Sequence, residues 1–229
     1  MSDIIKNYEQ LKARIHDAEQ RFNRPLGSVQ LLPVSKRHPF EAISPLIQYG
    51  VTQFAENQLQ EALIKIKATE AFNLSWHFIG TIQSNKTRPI AEHFDWVHSI
   101  ESVKIAERLN HQRPKSLAPL NVCLQVNISE EPQKSGVLLR ELPNLAQSIA
   151  HLPNLKLRGL MCIPAPSQSF DMQRHAFAKM REASIQLCDL DLHLDTLSMG
   201  MSQDFEAAIA EGATLIRIGT ALFGPRSLT

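Results

Sequence analysis

Residues 194–220 read LDTLSMGMSQDFEAAIAEGATLIRIGT, and this stretch decides the fold. An apolar run, Leu194–Ser198, gives way to a helical pattern over Gln203–Ala210. The pattern stops at Gly212, a residue suited to the left-handed position just past a helix end. A second run, Thr214–Ile218, follows at once. Its LIRI core is almost continuously apolar, as suits a parallel strand covered on both faces.

The same alternation extends back through the chain. Further strands are expected at Gln30–Ser35, Gln53–Ala55, Ser75–Ile79, Trp96–Ile100, Asn121–Ile128 and Lys156–Ile163. Helices are expected at Phe40–Tyr49, Asn57–Ala68, Ser84–His93, Ser102–Gln112, Leu142–Leu152 and Asp171–Cys188, with Pro143 tolerated in a first turn. Strict βα alternation gives a closed barrel or an open doubly wound sheet. Eight regular units and the lack of a GxGxxG after the first strand favour a single (β/α)8 TIM-type barrel. An amphipathic N-terminal helix precedes it, and charges break every apolar run in that segment, unlike a signal peptide.

The 229 residues suffice for one such domain without disulfide or metal support. Lys and Arg number 24 against 23 Asp and Glu, so nothing in the charge calls for nucleic acid as a partner. No apolar stretch approaches the length of a membrane span. Cys123, Cys162 and Cys188 form no CxxC pair and read as reduced thiols of a cytoplasmic protein. No metal site is expected; His93 and His98, five apart across a helix-to-strand boundary, lack ligand geometry.

In such barrels the chemistry sits at the C-terminal ends of the strands, and the last two loops are the customary phosphate cradle. Here those loops hold Gly200, Met201 and Ser202, then Gly219 and Thr220. Glycine lets a backbone N–H approach an oxyanion, and Ser202 is placed to cap the following helix. By spacing alone the same residues serve equally as ordinary turn and cap residues. Lys36 ends the first strand after LLPV, where partial desolvation frees an amine for imine formation. A lysine at a strand end is by itself ordinarily a solvated side chain. Together, the lysine and the cradle fit a phosphorylated aldehyde. Arg217, two residues before Gly219, would disfavour a protonated pyridine ring; the alternatives are a surface arginine or a phosphate contact.

Seven ordered segments then stand out: LLPVSK, FAENQLQE, WHFIGTIQSNK, VNISEEPQKSG, RGLMCI, LSMGMSQDFEAAI and RIGTALFGPR. With them the chain resembles the pyridoxal phosphate homeostasis proteins, relatives of the N-terminal barrel of alanine racemase, over nearly its whole length. The resemblance implies the fold-type III barrel and pyridoxal 5'-phosphate (PLP) as cofactor, held as a Schiff base on Lys36. It implies Ser202, Gly219 and Thr220 as phosphate ligands, Arg217 near the pyridine nitrogen, Asn57 beside the cofactor, and Met201 near ring or phosphate. His77 and Met161 are implied as cavity lining. Ala55 stands where the family more often has Gly, and Arg37-His38 replaces a Thr-containing continuation. The Ser84–Lys86 segment recurs in the family without a role that the sequence reveals.

Racemisation on this fold needs a base on each face of the cofactor. The tyrosines, Tyr8 and Tyr49, fall on helices, and the sequence reaches Thr229 directly after the barrel. The expectation is a cytoplasmic, monomeric PLP carrier, not an enzyme, that serves apo PLP-dependent enzymes and regulates vitamin B6 balance. A weak PLP-dependent racemase or lyase is the alternative. A barrel for another phosphorylated ligand, with Glu56 as its main carboxylate, is a third reading. The polar loop around Pro164–Ser169 is expected to move during cofactor exchange.

Overall fold

A computed structural model of the chain describes residues 3–192 and 194–224. Helix α1 (Asp3–Arg21) comes first, and then strands and helices alternate. They are β1 (Gln30–Pro33), α2 (Phe40–Gln48), β2 (Gln53–Glu56), α3 (Leu59–Ala68), β3 (Ser75–Phe78), α4 (Thr87–His93), β4 (Trp96–Ile100) and α5 (Val103–Gln112). The second half holds β5 (Leu120–Val126), α6 (Leu142–Ala150), β6 (Leu155–Cys162), α7 (Phe170–Cys188), β7 (Thr196–Ser198), α8 (Phe205–Ala210), β8 (Leu215–Ile218) and α9 (Thr220–Phe223).

All strand pairs are parallel, in the order β1-β8-β7-β6-β5-β4-β3-β2. Between the two end strands a bridge pairs Val34 with Ala55, and this turns the sheet into a barrel. Parallel strands buried on both faces need apolar residues on each. The outer faces pack on the helices in one large core that includes Phe54, Val97, Val122, Leu160 and Ile216. Inside the barrel, Leu32, Val34, Ala55 and Leu215 form a separate small cluster with Ile79 against it. No helix among the described residues is long and apolar enough to cross a membrane.

The expected elements are present, and their ends differ for local reasons. β1 stops at Pro33, whose nitrogen has no proton for the ladder. The helix expected from Asn57 begins at Leu59. Ser84–Lys86 is a 3-10 turn ahead of α4, and a similar turn, Leu139–Glu141, leads into α6. α8 starts at Phe205 instead of Gln203, because the Asp204 carboxylate accepts the Met201 N–H at 2.6 Å and closes a turn first. Gly212 follows α8 at φ 98°, as its place in the sequence requires. Pro143 lies in the first turn of α6.

β6 and β7 meet at Gly159 and Thr196, where the backbones approach so closely that a Cβ on Gly159 would lie 1.7 Å from the Thr196 carbonyl oxygen. Gly159→Ala is therefore expected to lose at least about 1–3 kcal/mol of stability in urea titrations. An unchanged midpoint would contradict this approach.

Candidate cofactor site

Arg217 lies on β8 with its side chain inside the barrel, only 4% exposed. One terminal nitrogen donates to the Ser198 carbonyl at 2.5 Å and to Ser198 Oγ at 2.8 Å. The other donates to the Cys162 carbonyl at 2.8 Å. Burial lowers the guanidinium pKa, while the charge of Asp204 is among the effects that oppose the shift. From Ser198 the chain of contacts continues across the interior. Ser198 Oγ is 2.8 Å from His98 Nδ1, and His98 Nε2 is 3.0 Å from His77 Nδ1. His77 Nε2 reaches Ser75 Oγ at 3.4 Å.

The arginine sets the direction of this chain, because guanidinium nitrogens only donate. Ser198 Oγ accepts from Arg217 and passes its own proton to His98 Nδ1. His98 then carries its proton on Nε2 and donates to His77. The reverse order would leave the Ser198 hydroxyl proton without an acceptor among the described residues. Burial pushes the His77 pKa down to about 3. His98 is also held well below its ordinary value, by burial first and then by the His77 and Arg217 charges. Both rings are thus neutral near pH 7 and can act as one donor and one acceptor each. Trp96 stacks on His77 with centroids 5.3 Å apart, and Arg158 lies 4.7 Å over Trp96.

The cradle stands directly after β7 and β8. Gly200 has φ 95°, and a Cβ there would come within 2.7 Å of the Ala208 Cβ. Its carbonyl accepts the Arg217 N–H at 2.9 Å. Ser202 was expected to cap α8, but that N-cap is Asp204. Ser202 Oγ accepts instead from the Ala221 N–H at 3.2 Å, which ties the two cradle loops together. Gly219 is the N-cap of α9 and Thr220 its first residue. Met201 and Ser202 are half-buried, and Thr220 is exposed.

Lys36 is half-buried in the turn beyond β1. β1 pairs with β8, Leu32 beside Arg217, and the Val34 N–H donates to Ile218 at 2.9 Å. The lysine therefore emerges next to the Gly219-Thr220 turn. Ala55 is fully buried, and its carbonyl accepts the Ser35 N–H at 3.0 Å. His38 stacks on Phe223 at 4.8 Å, joining the Lys36 turn to α9. Met161 is fully buried on β6, and its strand neighbour is Ser198.

Glu56 does not belong with these residues. Its neighbour Ala55 takes the inward position on β2, so the alternation of a strand turns Glu56 outward, where it meets Lys65 of α3 at 2.5 Å. Cys123 and Cys162 are buried thiols, each pushed up to about 12 by burial, and so are unreactive. Sequence reasoning missed the His98–Ser198 pair through which the network continues from Arg217. Strand alternation placed both inside, but no local signal paired residues 100 positions apart.

Two features test the fit to a phosphorylated pyridine aldehyde. Asn57 Oδ1 is buried and has no hydrogen-bond partner among the described residues, as suits a group awaiting a polar ligand. At Gly219 a Cβ would press to 3.3 Å on the Val34 carbonyl, so the bare glycine lets the cradle close against β1. The residues present fit the group.

A parallel βα barrel with a lysine in the turn after β1 and glycine- and hydroxyl-bearing loops after β7 and β8 has the layout of a phosphate-ligand barrel. The family model for the alanine racemase, N-terminal domain, matches residues 6–227, and the chain belongs to that family. The pyridoxal phosphate homeostasis protein of Pseudomonas aeruginosa is 56% identical over 226 residues, 99% of this chain and 97% of that one. The Escherichia coli K12 protein of the same name is 49% identical over 229 residues, 99% and 98% of the two chains. PipY of Synechococcus elongatus, solved with PLP bound, is 37% identical with a TM-score of 0.81, over 92% of this chain and 100% of that one.

The interior histidines carry a pH signature. An unfolded histidine titrates near 6.5, whereas His77 in the folded state titrates at about 3. Its contribution to stability is complete above pH 6.5 and falls as the pH drops toward 3, because the unfolded chain binds the extra proton. Stability should decline by about 1.4 kcal/mol per pH unit from this residue alone. Urea titrations of wild type and His77→Gln across that range should show a shallower slope in the variant. Equal slopes would mean that His77 is not buried neutral.

Proposed function

We propose that this protein is a PLP carrier of the cytoplasm, a monomer that holds the cofactor as a Schiff base on Lys36 and delivers it to apo PLP-dependent enzymes. The observation that carries the reading is the half-buried Lys36 beside the cradle of Ser202, Gly219 and Thr220, with Arg217 fixed below. The names of the curated relatives and the PLP bound to PipY support it.

Bound PLP supplies an aldehyde carbon for the lysine and a ring that can draw electrons from the bond it forms. The protein supplies position. Lys36 would hold the cofactor through its aldehyde carbon, and Ser202, Gly219 and Thr220 would hydrogen-bond the phosphate with N–H and hydroxyl donors. Arg217 would lie on the ring-nitrogen side, where its fixed positive charge would disfavour a protonated ring and so leave a weak electron sink. Asn57, His77, Met161 and Met201 line the remainder.

A weak sink suits carriage better than catalysis. The tyrosines support the same conclusion. Tyr8 and Tyr49 form an edge-to-face pair with centroids 6.2 Å apart, on α1 and at the end of α2. Neither is at a strand's C-terminal end, so neither supplies the second base that racemisation needs.

Purified protein mixed with PLP should develop a visible imine band that Lys36→Ala lacks, and borohydride should fix one adduct on Lys36 by mass. Loaded protein should reactivate an apo PLP enzyme, without measurable alanine racemisation of its own. No band in wild type would remove the cofactor reading, and racemisation lost in Lys36→Ala would make the protein an enzyme.

A further inference from the structure

The barrel closes at the seam between β1 and β2, and the seam lies immediately beside Lys36. Backbone pairing is sparse there: Val34 bridges Ala55, and the Ser35 N–H donates to the Ala55 carbonyl. A side chain from α3 adds what the ladder does not. The ammonium of Lys65, 3% exposed, donates to the Ser35 carbonyl at 2.8 Å, to Glu56 Oε1 at 2.5 Å and to Glu61 Oε1 at 2.7 Å. Its three protons are all used. Each carboxylate also holds the strand across the seam. Glu56 Oε1 accepts the Ser35 hydroxyl at 2.6 Å, and Glu61 Oε1 accepts the Arg37 N–H at 2.6 Å.

The residues on both sides of Lys36 are therefore held by one ionic cluster, buried at Lys65 and Glu56 and partly exposed at Glu61. Arg37 has φ 63°, a left-handed conformation that an arginine adopts only when its surroundings enforce it. The Glu61 carboxylate on its N–H is such a restraint, and a charge-assisted bond of this kind is among the stronger ones available. Lys65 Nζ is enclosed by the Ser35 carbonyl and the Glu56 and Glu61 carboxylates, and these bonds hold this second amine in the seam.

We propose that Lys65 and Glu61 are positioning residues for the cofactor lysine: across the seam they hold Ser35 and Arg37 in the conformation that aims Lys36 into the barrel mouth. This rests on the reading of Lys36 as the PLP lysine.

The test compares four variants with wild type. Glu61→Ala strips the acceptor from Arg37, and Glu61→Gln keeps a neutral one. Lys65→Met with Glu56→Gln removes the buried pair and leaves only the partly exposed Glu61 carboxylate charged. Glu211→Gln breaks a comparable cluster, with Arg174 and Arg181, elsewhere in the molecule. Hydrogen exchange of the Arg37 amide is measured on protein without PLP, and PLP affinity is measured separately by titration.

Glu61→Ala and the double variant should each speed Arg37 exchange and weaken PLP binding by about tenfold. Glu61→Gln should recover most of both losses, and Glu211→Gln should cause neither. Unchanged exchange in Glu61→Ala overturns the proposal. So does faster exchange with undiminished PLP affinity, which would make the cluster structural only. Should the double variant not fold, the Glu61 pair decides alone. If wild type takes no PLP on Lys36, the positioning proposal falls together with the cofactor reading. A wild type that binds PLP while the variants bind it equally well overturns the positioning proposal alone.

Discussion

A guanidinium inside a barrel cannot be left to water, and most of this structure follows from how Arg217 is satisfied. Its donors take carbonyls of β6 and β7 and the Ser198 hydroxyl. That hydroxyl orders His98, and His98 orders His77 on β3. One polar chain thus links five strands, and each member is needed to satisfy the next. Beside it Leu32, Val34, Ala55 and Leu215 form a small apolar cluster. A half-satisfied network at this depth would cost more than an apolar core.

The consequence appears at the mouth. Arg217 also donates its backbone N–H to Gly200, so the arginine that anchors the interior holds the first cradle loop as well. The second loop is joined to the first through Ser202 and Ala221. On the other side, β1 carries Lys36 up beside β8. The lysine, cradle and arginine are therefore held by strands, not by loops alone, which is the arrangement that gives a binding site its precision.

Much of this was legible in the sequence. Alternation along β1 puts Leu32 and Val34 inside, and the same rule carries Arg217 inward two residues before Gly219. Gly212 and Pro143 marked helix ends by local chemistry alone. What escaped was set by residues distant in the chain. Nothing near Ser202 foretold Ala221 as its partner, and Asp204 took the cap that Ser202 was expected to supply. No sequence signal singled out Lys65. Its burial depends on Glu56 turning outward and on Ser35 across the seam, both products of barrel closure.

The central claim is that one barrel frame places an amine, an anion cradle and a buried cation around a single cofactor. A crystal structure of the protein soaked with PLP tests it most directly. The account predicts continuous density from Lys36 Nζ to the cofactor, the phosphate against Ser202, Gly219 and Thr220, and the ring nitrogen facing Arg217. A phosphate bound elsewhere, or a ring nitrogen turned away from Arg217, would contradict it.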